Sequence, residues 1–169
     1  MTEHFYITTA IIYVNSKPHL GWALELTQAD VIARYRRIRG SRTHFLTGVD
    51  EHGAKIMRAA GAEGIPVKAF VDKNTASAHE LTRALGISND DFIRTSDEVR
   101  HFPGAQELWK RIDASGDLYK KSYRGLYCVG HEAFVTEKDL TDGICTDHGK
   151  APEPVEEENY FFRLSKYAE

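Results

Sequence analysis

The sequence predicts an α/β fold with a parallel sheet, and three observations carry that expectation. Aromatic and β-branched segments alternate with longer stretches whose apolar residues keep helical spacing. Glycines and prolines fall at the junctions between them. The rhythm then stops after Gly116, where short segments and a Cys/His cluster take over.

The first segment, Phe5 to Ala10, reads as a strand, and Asn15-Ser16-Lys17-Pro18 as a polar loop. Apolar positions Leu20, Ala23, Leu24, Val31, Ile32, Tyr35 and Ile38 predict a helix from about Leu20 to Arg39, stopped by Gly40. Thr43 to Thr47 is the second strand. It runs into Gly48-Val49-Asp50-Glu51-His52-Gly53, and a short helix follows and ends by Gly61. Pro66 opens a further helix with Val67, Phe70, Val71, Asn74, Ala78, Leu81 and Leu85 on one stripe and Gly86 at its end. Asp91 to Arg94 is a short strand. Thr95 and Glu98 have the spacing of a capping box ahead of a helix ending at Gly116. Glu156 to Leu164 reads as a late strand. The expected organisation is a nucleotide-binding half over residues 1–116 and a metal-bearing insertion over residues 117–169.

Composition excludes several classes. In 169 residues, hydrophobic side chains make up 41% and the net charge is -3, so no general positive coat for nucleic acid exists. No apolar run reaches membrane-spanning length, and Met1-Thr2-Glu3-His4 lacks the basic and apolar stretch of a secretory signal. Two cysteines without export signals favour reduced thiols and a cytoplasmic protein. The end, Tyr167-Ala168-Glu169, carries no stop signal and suggests a truncated chain.

Parallel sheets bind ligands beyond the carboxyl ends of their strands. There Pro18-His19-Leu20-Gly21-Trp22 meets the start of the long helix, where free N–H groups and the helix dipole attract phosphate. His19 has the chemistry to donate to a phosphate oxygen, and Gly21 permits close approach. On local chemistry alone the plainer reading, a surface loop histidine and a packing glycine, stands ahead, because short motifs match by chance. Asp50 ends the second strand, where it can cap the next helix.

Cys128-Val129-Gly130-His131 and Cys145-Thr146-Asp147-His148 each place two ligands three positions apart. Paired knuckles of this spacing supply the four ligands of tetrahedral zinc, and both cysteines of the chain fall into them. Such a site is closed to water and structural. The competing reading is two buried cysteines beside incidental histidines.

Taken in order, Thr8-Thr9-Ala10-Ile11-Ile12-Tyr13-Val14-Asn15, Pro18-His19-Leu20-Gly21, Ala29 to Tyr35, Phe45 to Gly53, Asp91 to Thr95 and Asn159 to Phe162 resemble class I aminoacyl-tRNA synthetases, the methionyl enzymes above all. The likeness is collinear and runs the length of the chain. It implies a Rossmann-like catalytic half with a zinc-bearing connective insertion. It further implies ATP contacts at His19, Gly21, Trp22 and Glu25, with His19 catalytic, and a methionine site at Ala10, Ile11, Tyr13 and Asp50. Zn²⁺ would sit on Cys128, His131, Cys145 and His148, Mg²⁺ would accompany ATP, and tRNA(Met) would accept the product.

The chain departs from the family at several points. Trp22 stands where the signature tetrapeptide has a second histidine, and indole cannot accept a proton. His131 stands where a cysteine is usual. The lysine-rich loop of the second catalytic half does not occur, so the chain alone is expected to be inactive. Without the resemblance, Ala10 and Ile11 read as ordinary core and Glu25 as a solvated helix face. The rival functional readings are another class I synthetase, which the knuckle placement after a short first half argues against, a degenerate synthetase-like protein, and a zinc module that binds RNA or protein without catalysis.

Overall fold

The structure is a computed structural model that describes residues 3–168. The sequence-based readings of Met1, Thr2 and Glu169 fall outside the described residues. The chain divides into two compact units, Met1–Ala105 and Gln106–Glu169.

In the first unit, β1 (His4–Thr8), β2 (Ile12–Tyr13), β3 (Arg42–Asp50) and β4 (Asp91–Arg94) form one sheet. All its pairings are parallel. Leu46 pairs with both Thr8 and Asp91, and Val49 with both Ile12 and Arg94. β1 and β2 therefore share one edge of β3, and β4 takes the other. Between the pairs Thr8–Leu46 and Ile12–Val49, residues 9–11 face only residues 47–48. The expected single strand Phe5 to Ala10 is thus broken by a bulge, which turns its last residues out of the ladder.

Helices α1 (Leu20–Ile38), α2 (Ala54–Glu63) and α3 (Val67–Ala84) complete this unit. The helical spacing of α1 is as expected, but its most apolar stripe does not enter this unit's core: Leu20 and Ile38 are 85% and 84% exposed, while Leu26, Ala29, Asp30 and Ala33 are buried. Small residues let α1 lie close on the sheet. α3 buries the middle of the expected stripe, Phe70, Val71, Asn74 and Ala78, while the stripe's ends Val67 and Leu85 are exposed; Asn74 donates to the Val14 carbonyl at 2.8 Å. One core cluster joins Ile12, Val14, Leu26, Val49, Ile56 and Phe70, and a second joins Ala29, Ala33 and Phe45. Gly48 is required where β3 meets β4, since a Cβ there would lie 2.2 Å from the Ile93 carbonyl oxygen.

The capping box expected at Thr95 and Glu98 does not form. Helix α4 spans only Phe102–Ala114, and Asp97 Oδ1 collects the N–H groups of Val99 and Arg100, each at 2.9 Å. Thr95 instead uses its hydroxyl as the acceptor for the buried Glu51 N–H at 2.8 Å. A long-range partner outcompetes the local cap. The division between the units falls inside α4, and Gly116 follows that helix's end.

In the second unit, β5 (Leu118–Cys128) pairs antiparallel with β6 (Ala133–Val135) and with β9 (Glu153–Phe162). A separate small ladder joins β7 (Leu140–Thr141) and β8 (Ile144–Cys145). Tyr119, Tyr123 and Tyr127 lie on one face of β5, in ring contact with Phe161 and Phe134. Among the described residues no helix is long and apolar enough to cross a membrane.

Candidate functional site

His19 is the N-cap of α1, with extended backbone, and its Nδ1 accepts the Gly21 N–H at 3.1 Å. A neutral imidazole that accepts through Nδ1 carries its proton on Nε2. Nε2–H is then a donor beside the positive end of a 19-residue helix. The capping bond thus occupies Nδ1 and leaves Nε2 for another partner. Gly21 has a local reason to be glycine: a Cβ there would stand 2.9 Å from the His19 ring. The Trp22 indole sits 4.5 Å from that ring and packs on the core cluster. It therefore acts here as a wall behind the imidazole.

The second strand end stands next to this one. Tyr13 pairs in register with Asp50, and the Val14 N–H reaches the Asp50 carbonyl at 3.3 Å. Ala10 and Ile11, on the bulge, are exposed, contrary to the ordinary-core alternative. The Ala10 N–H freed by the bulge is taken by Glu25 Oε1 at 2.7 Å. Glu25 is thus neither a merely solvated residue nor, through that oxygen, open to a ligand. Asp50 does not cap α2; the N-cap is Gly53, and Asp50 Oδ1 instead accepts the His52 N–H at 3.2 Å.

Sequence reasoning missed the network that fixes the Asp50–His52 turn. The Glu51 side chain is fully buried and accepts from Thr75 Oγ1 at 2.6 Å, Arg94 Nε at 2.7 Å and the Ser96 hydroxyl. Arg94 also bonds Asp72 at 2.6 Å, and His52 Nε2 contacts the Thr95 carbonyl at 3.2 Å. Lys68 and then Arg94 hold the Asp72 carboxyl below its ordinary value. These partners lie up to 45 residues from Glu51, so no short motif signals them. A buried carboxylate needs such compensation, and the network supplies rigidity to the turn.

In the second unit, Cys128, His131, Cys145 and His148 form a group able to hold a metal ion, their ligand atoms all within 4.8 Å of one another. Cys145 Sγ lies 3.6 Å from His131 Nδ1 and 3.5 Å from His148 Nδ1, and Cys128 Sγ lies 3.8 Å from His148 Nδ1. Both cysteines are buried and unbridged. The His131 backbone N–H holds the Cys128 thiol below its ordinary value. Gly130 makes room for the His148 ring, which a Cβ would meet at 2.2 Å.

The family model of class I tRNA synthetases (M) matches residues 5–146. The chain belongs to that family. A methionine–tRNA ligase of Rhizobium meliloti is 48% identical over 98% of the chain, and one of Brucella suis 46% identical over 98%. A solved Mycobacterium tuberculosis methionyl-tRNA synthetase in complex with methionyl-adenylate superposes with TM-score 0.89 and 42% identity over 99% of the chain. This synthetase-family chain spans about a third, 33%, of each of these relatives.

Proposed function

We propose that the protein to which this chain belongs activates methionine with ATP and transfers it to tRNA(Met), and that this chain supplies the ATP- and methionine-binding part. The observation that carries the reading is the fold-level and 42% sequence likeness to a synthetase in complex with methionyl-adenylate. The site geometry supports it independently.

The methionine carboxylate attacks the α-phosphorus of ATP, forming the acyl–phosphate bond as the bond to pyrophosphate breaks. His19 Nε2–H and the α1 N-terminus stabilise the negative charge that grows on the phosphate oxygens. Asp50 pairs with the substrate ammonium, and Ala10, Ile11 and Tyr13 border its flexible apolar side chain. Glu51 and Arg94 keep the Asp50 turn in place, so orientation is supplied before the substrate arrives. The terminal ribose hydroxyl of tRNA then attacks the adenylate carbonyl and releases AMP. Mg²⁺ bound with ATP would supply further charge neutralisation. A cytoplasmic location goes with this role.

Zn²⁺ fits the Cys/His group. Bond lengths of about 2.3 Å to sulfur and 2.0–2.1 Å to nitrogen in a tetrahedron set each S···N edge near 3.5 Å. Three S···N separations of the group, 3.5, 3.6 and 3.8 Å, lie close to that edge. Two buried thiolates and two Nδ1 atoms fill all four positions, so the ion would be structural. His131 replaces a thiolate without changing that number.

Methionine-dependent exchange of pyrophosphate into ATP, in the full-length protein, tests the proposal. Exchange should require methionine, and the 169-residue chain alone should show none. His19→Ala should lower the exchange rate by about 10²–10³, the usual effect of losing one transition-state donor, with little change in methionine binding. Absence of exchange in the full-length protein, or equal losses of rate and methionine binding in the variant, would overturn these assignments.

A further inference from the structure

Asp147 lies between Cys145 and His148 in the second knuckle, yet it makes its contact with the first. Its Oδ2 is 3.0 Å from His131 Nε2, while the other ring nitrogen, Nδ1, is 3.6 Å from Cys145 Sγ. The two nitrogens of an imidazole are coupled: an acceptor at Nε2 fixes the proton there and leaves the Nδ1 lone pair for a metal. The same bond sets the ring's rotation. His131 needs this help more than its neighbours. Both cysteines are buried, whereas His131 is exposed, with 36% of its side chain accessible. His148 is exposed too, but it is confined on one side by the backbone of Gly130. The His131 and His148 rings meet edge to face at 88°, so a rotation of His131 would swing its Nδ1 away from the group.

We infer that Asp147 is a positioning residue for the metal group: it orients His131 through Nε2 and ties the two knuckles together before the ion binds. The inference rests on the proposal that these four residues hold Zn²⁺. In that arrangement the second knuckle contributes two ligands and also the carboxylate that aims a ligand of the first. Outer carboxylates of this kind typically change metal affinity by about 10–100-fold.

The test uses the 169-residue chain, stripped of metal and titrated with Zn²⁺ against a chromophoric chelator. Asp147→Ala should weaken Zn²⁺ by about 10–100-fold. Asp147→Asn keeps an acceptor oxygen and should lose less. Asp142→Asn removes the same charge from the same small module without touching His131, and should leave the affinity unchanged. Nitrogen NMR of the zinc-loaded wild type should show His131 bound through Nδ1 with a protected Nε2–H, and Asp147→Ala should lose that protection. Affinity in Asp147→Ala within twofold of wild type would overturn the inference while leaving the metal reading intact. Equal weakening by Asp142→Asn would reduce Asp147 to a general charge effect and overturn it as well. A wild-type chain that takes up no Zn²⁺ would remove the metal reading itself, and the inference with it.

Discussion

The two units are fixed by different physics. The first buries Ile12, Val14, Leu26, Phe45, Val49, Ile56 and Phe70, among others, inside a sheet and its helices. In the second, the only buried apolar side chains among the described residues are Cys128 and Cys145. What orders it instead is an antiparallel ribbon with stacked aromatics, the knuckle group, and Asp117 at the ribbon's base. Asp117 is 1% exposed and accepts from Lys166 Nζ at 2.9 Å, Ser115 Oγ at 2.7 Å and the Tyr167 hydroxyl. A module with so little apolar burial depends on its ligands and polar clamps. The first unit holds its strand ends rigid on its own packing, while the second relies on polar contacts and on the proposed metal group, both of which can be removed.

The largest test of that contrast is Cys145→Ser. Losing a ligand should cost more than the roughly 10–100-fold of an outer partner in zinc affinity. Amide exchange should quicken in β7, β8 and the β5–β6 end, and stay unchanged in β3 and α1. Simultaneous loss of protection in β3 would break the comparison. The converse change is Phe45→Ala. Phe45 is fully buried, so truncation should cost the first unit about 3–5 kcal/mol in denaturant titration. Zinc uptake by the knuckles should be retained. A cost under about 1 kcal/mol would mean that this core is not what holds the unit.

The contrast also explains what the sequence disclosed. The alternation of strands and helices, the α3 stripe and both knuckles were legible, because each is a local pattern with a fixed period or spacing. His19, Gly21 and Asp50 were legible as residue types at strand and helix ends. The bulge at residues 9–11 was not, because it depends on register against β3. The exposed stripe of α1 misleads for a related reason: helical spacing tells which residues share a face, not which face is covered. Thr95 looked like a cap because the local pattern was complete, and only the distant Glu51 N–H shows where its hydroxyl went. Glu51 and Arg94, 43 residues apart, left no signal at all.

The clamp at the base of the ribbon gives a pH test. Bonds from Tyr167, then Lys166, then Ser115 lower the Asp117 carboxyl from 3.8 to about 2. A carboxyl lowered by folding stabilises the folded form above its unfolded value and loses that contribution as pH falls toward its folded one. The stability difference between wild type and Asp117→Asn should therefore be constant above about pH 5, and shrink as pH drops through 3.8 toward about 2. Comparing the two proteins at each pH cancels proton effects on the knuckles. A difference that does not vary with pH would show that the charge of Asp117 contributes nothing.

The smallest effect discriminates two roles for Glu25 in the first unit. The family resemblance implies a place near ATP, but the structure commits one Glu25 oxygen to the Ala10 N–H on the bulge. If that bond is what the residue is for, its removal disturbs the edge carrying Ala10 and Ile11, not the helix start carrying His19. A hydrogen bond to a charged group contributes about 1.5–3 kcal/mol, and this one is exposed, so at most the low end applies. In the full-length protein, Glu25→Ala should raise KM for methionine by about tenfold and leave KM for ATP unchanged. Glu25→Gln retains a carbonyl oxygen that can accept the same N–H and should be nearly silent. A rise in KM for ATP alone would assign Glu25 to the nucleotide and leave the bulge to be held by its register against β3.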